Sequence, residues 1–171
     1  MSEDFKIDKV SIRLVKDSSL TIDYPLNTPD KISEIIGNEL REMDREVFCV
    51  IHMTSDLSVL SYTFASVGAI DRTIASPREI FKGAILSNAA SIVVMHNHPS
   101  GNIQPSDIDL AVTKRLNDAC NIMGIPLNDH IIVGPRNLNY YSFREHDLII
   151  GKKDSSVSLA AENIESFGKS R

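Results

Sequence analysis

Strand-sized apolar runs alternate with segments of helical period along most of this chain, and that alternation leaves few folds open. Glu46 opens a β-type run, Val47-Phe48-Cys49-Val50-Ile51, and the turn residues Thr54-Ser55-Asp56 lead into a second strand from Val59 to Phe64. That pair reads as a hairpin. Two further apolar runs, Ser91–Met95 and Asp129–Gly134, read as buried strands. Between them lie helix signatures. Thr28-Pro29-Asp30 supplies a cap, a proline at the first helical position and an acid on the dipole's positive end, followed by Ile32, Ile35, Ile36 and Leu40 as far as about Met43. Ser76-Pro77-Arg78-Glu79 reads as a capping box ahead of Ile80, Phe81, Ala84 and Ile85, ending near Asn88. Ser106 caps a third helix carrying Leu110, Val112, Leu116, Ala119 and Met123, which Gly124-Ile125-Pro126 ends. The expected fold is a single α/β domain with a mixed β-sheet flanked by helices, mixed because the hairpin makes one pairing antiparallel.

The 171 residues suit one such domain. Residues 1–27 read as a leader with a strand in VSIRLV and a turn at Pro25, residues 28–150 as the domain, with Gly68 in a loop and Tyr140–Ile150 closing it as a short helix or strand. Residues 151–171 read as a polar tail, weakly helical from Leu159 to Phe167, suited to a flexible or partner-binding role. A net charge of -5 without a basic block gives no strong nucleic-acid signal, because that binding runs on neutralising phosphates with Lys and Arg. The start lacks the apolar region of a secretory signal, and no stretch approaches the roughly 20 apolar residues of a membrane span. Cys49 and Cys120 sit in apolar periodic segments without spaced partners and read as buried free thiols. A reduced, cytoplasmic compartment is the expectation.

Chemistry concentrates in His96-x-His98-Pro99, six residues, Ser106, two residues, Asp109. Two histidines at i and i+2 at a strand's end point to one side. The turn Pro99-Ser100-Gly101 folds the chain back and can bring the first turn of the next helix, with Asp109, to the same point. Two imidazoles and a carboxylate suit Zn²⁺, and three protein ligands leave a fourth position open, as in catalytic rather than structural sites. By average residue usage the pattern arises by chance on the order of 10⁻⁷ per starting position.

At these residues the sequence resembles the JAMM (MPN/JAB) metalloprotease motif, an upstream Glu followed by H-x-H-P-x6-S-x2-D. More closely, it resembles the JAB domain of RadC-type bacterial proteins, through HNHPSG at 96–101, PSDID at 105–109, SPREIF at 76–81 and DHIIVG at 129–134. The resemblance covers about residues 28–150 and implies a sheet architecture similar to cytidine deaminases. It implies a zinc-dependent metallopeptidase or isopeptidase acting on a peptide or protein. His96, His98 and Asp109 would be the zinc ligands, Glu46 the acid/base, and Ser106 a donor to the oxyanion. The long RadC form also carries an N-terminal helix-hairpin-helix DNA-binding region, and residues 1–27 hold no such hairpins.

Other polar residues read as structural. Glu79 is explained by the capping box, His52 by its strand and His146 by solvent, and Glu42 competes with Glu46 as the upstream acid. Asp129-His130 reads equally as a strand end or as a pair that orients a ligand. Two functions of other classes stay open: a non-catalytic, metal-stabilised interaction module of a DNA-repair or mobile-element system, and a DNA-acting hydrolase. Degraded ligands would favour the first, and a basic face around the cleft the second. A zinc deaminase is excluded, because His98 stands where H-x-E needs its Glu and no C-x-x-C follows.

Overall fold

A computed structural model describes residues 7–67, 76–135 and 139–149. Eight elements follow in order: α1 (Pro29–Arg41), β1 (Val47–Met53), β2 (Val59–Val67), α2 (Pro77–Leu86), β3 (Ser91–Asn97), α3 (Asp107–Met123), β4 (Leu127–Val133) and β5 (Tyr140–Ser142). The strands form one mixed sheet in the order β2-β1-β3-β4-β5. β1 pairs antiparallel with both β2 and β3, β3 pairs parallel with β4, and β5 returns antiparallel to β4. β1 and β3 are buried at every residue, as central strands covered on both faces must be.

Each face of the sheet has its own core. Ile32, Ile36 and Leu40 of α1 pack on Cys49, Ile51, Val93, Met95, Ile131 and Val133. On the opposite face Ile80, Phe81 and Ala84 of α2 and Leu116 and Cys120 of α3 pack on Phe48, Val50, Val94 and Ile132. The alternation along β3 therefore feeds two layers, and His96 lies on the α2/α3 side with Val94. Both thiols are buried, and burial pushes the Cys120 thiol up to about 12 and that of Cys49 higher still, so neither is poised to react. Among the described residues no helix is long and apolar enough to cross a membrane.

Two local expectations are corrected. VSIRLV forms no strand: Val10, Ile12 and Val15 are exposed, and residues 7–27 pair with neither sheet edge. Alternation alone does not make a strand, because the ladder needs a partner. The capping box at Ser76 does not close either. Ser76 makes no side-chain cap bond, and the Glu79 carboxylate pairs instead with Lys82 at 2.6 Å. The i, i+3 spacing of Glu79 and Lys82 offers it a charged partner in place of an amide. The closing segment, read as a short helix or strand, forms strand β5 followed by turns. The predicted loop at Gly68 and the predicted tail at 151–171 lie outside the described residues.

One contact between α2 and the sheet carries two consequences. His52 of β1 is fully buried, its Nδ1 meets Ser61 Oγ at 2.8 Å, and its Nε2, unpartnered among the described residues, faces the backbone of Gly83. A Cβ at Gly83 would stand 2.7 Å from that nitrogen. Gly83→Ala should therefore destabilise by about 1–3 kcal/mol in urea unfolding, although helix propensity alone favours Ala by about 1 kcal/mol. Burial also lowers the His52 pKa to about 4. The unfolded ring takes its proton near pH 6.5, so stability is full above that value and is lost as pH falls towards 4. The loss from His52 is on the order of 3 kcal/mol at pH 4, and chelator-treated His52→Gln should show a correspondingly flatter stability–pH curve.

Candidate metal centre

β3 ends at Asn97, and the chain continues its pairing for one more residue through His98 N–H to Val133 O at 2.9 Å. Gly101 then donates its N–H to His98 O at 2.9 Å and takes φ +85, a conformation that suits glycine and reverses the chain. His98 is pinned in this turn because its Nδ1 lies 2.6 Å from Asn102 O. A carbonyl only accepts, so Nδ1 carries a hydrogen, and in the neutral ring Nε2 presents its lone pair.

Eight residues after His98, Ser106 starts α3 with a closed capping box. Its hydroxyl accepts from Asp109 N–H at 3.2 Å and donates to Asp109 Oδ2 at 2.6 Å, and its own N–H reaches the same oxygen at 2.7 Å. These bonds fix the Asp109 carboxylate over the end of β3. His96 Nε2 lies 2.9 Å from His98 Nε2 and 3.2 Å from Asp109 Oδ1, while His98 Nε2 lies 3.5 Å from Asp109 Oδ2. The ligand atoms of His96, His98 and Asp109 all fall within 4.8 Å of one another, a group that could hold a metal ion.

The electrostatics favour positive charge at this point. Burial would raise the Asp109 pKa, but the hydrogen bonds that His96 and His98 donate from Nε2 in their protonated form, with that of Ser106, hold it well below the usual carboxylate range. Burial keeps His96 neutral to lower pH, whereas the hydrogen bond to Asp109 raises His98 against its partial burial. A proton and a metal cation thus compete for the His98 nitrogen.

Glu46 precedes β1 and is partly buried, and its negative field reaches both His96 and His98. Glu42, the competitor in sequence, is the exposed C-cap of α1. Asn97, a residue that motif reasoning passed over, holds the backbone on both sides of Glu46. Its side chain points away from the two histidines and is 2 % exposed. Asn97 Oδ1 accepts from Val47 N–H at 2.7 Å, and its Nδ2 donates to Arg45 O at 3.0 Å. The amide thereby clamps the residues on either side of Glu46 to the strand that carries the histidines.

Asp129 and His130 divide their roles. Asp129 accepts from Ser142 Oγ–H at 2.6 Å and from Arg144 N–H at 3.0 Å, tying β4 to the segment after β5 on the face away from the metal group. His130, fully buried, lies with Nε2 2.9 Å from His96 Nδ1 and Nδ1 2.6 Å from Thr113 Oγ1. His146 is exposed, as its reading as a solvated residue has it, and its ring also stacks on Tyr141 at 4.0 Å while its Nδ1 meets Ser142 O at 2.8 Å.

A mixed sheet whose central strand ends in paired histidines, with a carboxylate returned by the next helix, defines a JAB-type domain. The chain belongs to the RadC-like JAB domain family, which matches residues 26–149. A UPF0758 protein of Alkaliphilus oremlandii is 38% identical over 142 residues, covering 81% of this chain and 60% of that protein. One of Finegoldia magna is 41% identical over 125 residues, 73% of this chain and 54% of its own length. One of Streptococcus suis is 35% identical over 151 residues, 88% and 61% respectively. The chain therefore matches little more than half the length of these curated relatives.

Removing the clamp gives a direct test of the Glu46 placement. Asn97→Ala should leave the Val47 and Arg45 groups unpaired, cost about 1–3 kcal/mol of stability, and raise amide exchange at residues 43–47. Protection there equal to the wild type would show that other contacts hold Glu46.

Proposed function

We propose that this chain is a zinc-dependent amide hydrolase of the metallopeptidase or isopeptidase type, with a peptide or protein as substrate. The observation that carries the reading is the convergence of His96, His98 and Asp109 within 4.8 Å, with the field of Glu46 reaching both rings. The donor set fits: two imidazoles offering Nε2 and a carboxylate aligned by Ser106 are borderline-hard ligands, and three of them leave a position open. A zinc ion there supplies a Lewis acid for the scissile carbonyl and brings the pKa of water to about 7.

The chain's own residues do the rest. Glu46 takes the proton of the attacking water and returns it to the leaving amine, a role worth about 10²–10⁴-fold. Ser106 Oγ–H, which holds Asp109 Oδ2, turns to the developing oxyanion by giving up that bond. The Ser106 N–H on the same oxygen, at 2.7 Å, keeps Asp109 in place while it does so. The net charge of -5 favours a protein substrate over a nucleic acid.

Elemental analysis of protein purified without chelators or a His-tag tests the metal. About one zinc per chain is expected, sharply reduced in Asp109→Ala. Peptide and isopeptide-linked substrates then test the reaction: Glu46→Gln should keep its zinc and lose about 10²–10⁴-fold in hydrolysis. Zinc absent from the wild type, or unchanged in Asp109→Ala, overturns the ligand set. Zinc bound with no cleavage of either bond type moves the reading to a metal-stabilised interaction module.

A further inference from the structure

We infer that His130 and Thr113 are positioning residues that fix the tautomer of His96, so that its Nε2 presents a lone pair to the cation held with His98 and Asp109. The inference rests on the metal-centre reading above and extends it to two residues outside the ligand set.

The argument is a count of hydrogens along a buried chain of contacts. Thr113 Oγ1 has a single hydrogen and donates it to Asp109 O at 2.6 Å, the i−4 carbonyl of its own helix. Towards His130 Nδ1, 2.6 Å away, the hydroxyl is then an acceptor, so that nitrogen carries the ring's hydrogen. A neutral imidazole has only one, which leaves His130 Nε2 bare. It accepts from His96 Nδ1 at 2.9 Å, and His96 Nε2 is left bare in turn. His96 and His130 are fully buried and Thr113 is 3 % exposed, so the contacts run without solvent as an alternative partner.

The same three contacts run in reverse would block the site. Were Thr113 to donate to His130, His130 would donate from Nε2 to His96 Nδ1, and the hydrogen of His96 would sit on Nε2, aimed at Asp109 Oδ1 3.2 Å away. The Thr113 bond to the Asp109 carbonyl selects the open direction. His98 needs no such chain, because Asn102 O fixes its tautomer directly. Ring packing holds the geometry: His130 stacks on Phe143 at 4.6 Å and 15°, and His96 on Phe48 at 5.9 Å and 10°. Asp109 and Thr113 stand one turn apart on α3, so a single helix supplies both a ligand and the end of the chain that orients another ligand.

Two measurements on the intact protein test this. Long-range ¹H–¹⁵N correlation of the imidazoles in the zinc-loaded wild type should show hydrogens on Nδ1 of both His96 and His130. A hydrogen on His130 Nε2 overturns the inference. Competition with a chromophoric chelator, using zinc ion alone, should show affinity reduced about 10–100-fold in His130→Leu and in Thr113→Val. His130→Gln, whose Oε1 can still accept from His96 Nδ1, should stay within a few-fold of the wild type. Equal weakening by Leu and Gln would assign His130 to packing alone and overturn the tautomer role. Wild-type affinity in His130→Leu, with zinc lost in Asp109→Ala, would overturn the inference and leave the metal centre standing. Zinc retained in Asp109→Ala would instead remove the metal centre itself.

Discussion

The parallel pairing of β3 with β4 constrains the rest of this molecule. Parallel neighbours cannot be joined by a tight turn, so the chain must leave the end of β3, cross one face of the sheet and re-enter at the start of β4. α3 makes that crossing. Its N-terminus therefore lies beside the C-terminal end of β3, and its acidic first turn faces the residues that finish the strand. In open α/β sheets this junction is where ligands gather, because strand ends and helix starts leave side chains and amides without neighbours of their own. Here the histidines of the strand end and Asp109 of the first turn fill it.

Burying so many polar groups at one junction is tolerated only because each has a partner. Asp109 is met by Ser106 and the two histidines, His96 by His130, His130 by Thr113, and Asn97 by the backbone on both sides of Glu46. An unsatisfied member would cost about 1–3 kcal/mol, so the network is stable as a whole or not at all. This interdependence also makes the site rigid. A set of side chains already held in place would lose less entropy on taking up a ligand. The residues surrounding the ligands are thus as much a part of the site as the ligands themselves.

The sheet, its helices and the H-x-H-P…S-x-x-D pattern were legible in the sequence because each is written in local periodicity, capping residues or short spacing. Ser106 and Asp109 lie three residues apart, and Gly124 ends α3 in the left-handed conformation that its position predicted. What escaped notice, or stayed open, depends on partners far along the chain. Asn97 acts on residues about fifty positions earlier; the partner of His130, which reads equally as a strand end or an orienting residue, is a histidine thirty-four positions away. No spacing rule reports such pairs. Where local reasoning failed, at VSIRLV and at the Ser76 cap, it named a pattern whose partner was missing or had been taken by another charge.

The three consecutive residues His96, Asn97 and His98 show how much a strand end can organise through alternation alone. The outer two face α3 and meet Asp109. The middle one must face the other way, and from there it clamps the start of β1, the neighbouring strand, through Val47 N–H and Arg45 O. Because β1 is antiparallel to β3, its first residues lie beside the last residues of β3, with Phe48 opposite His96. Glu46 therefore comes to the neighbourhood of the two histidines by register, not by a dedicated loop. A one-residue slip of β1 against β3 would turn its core side chains to the opposite faces and carry Glu46 away from both histidines. Pairing register, core burial and the placement of the acid are one constraint seen three ways.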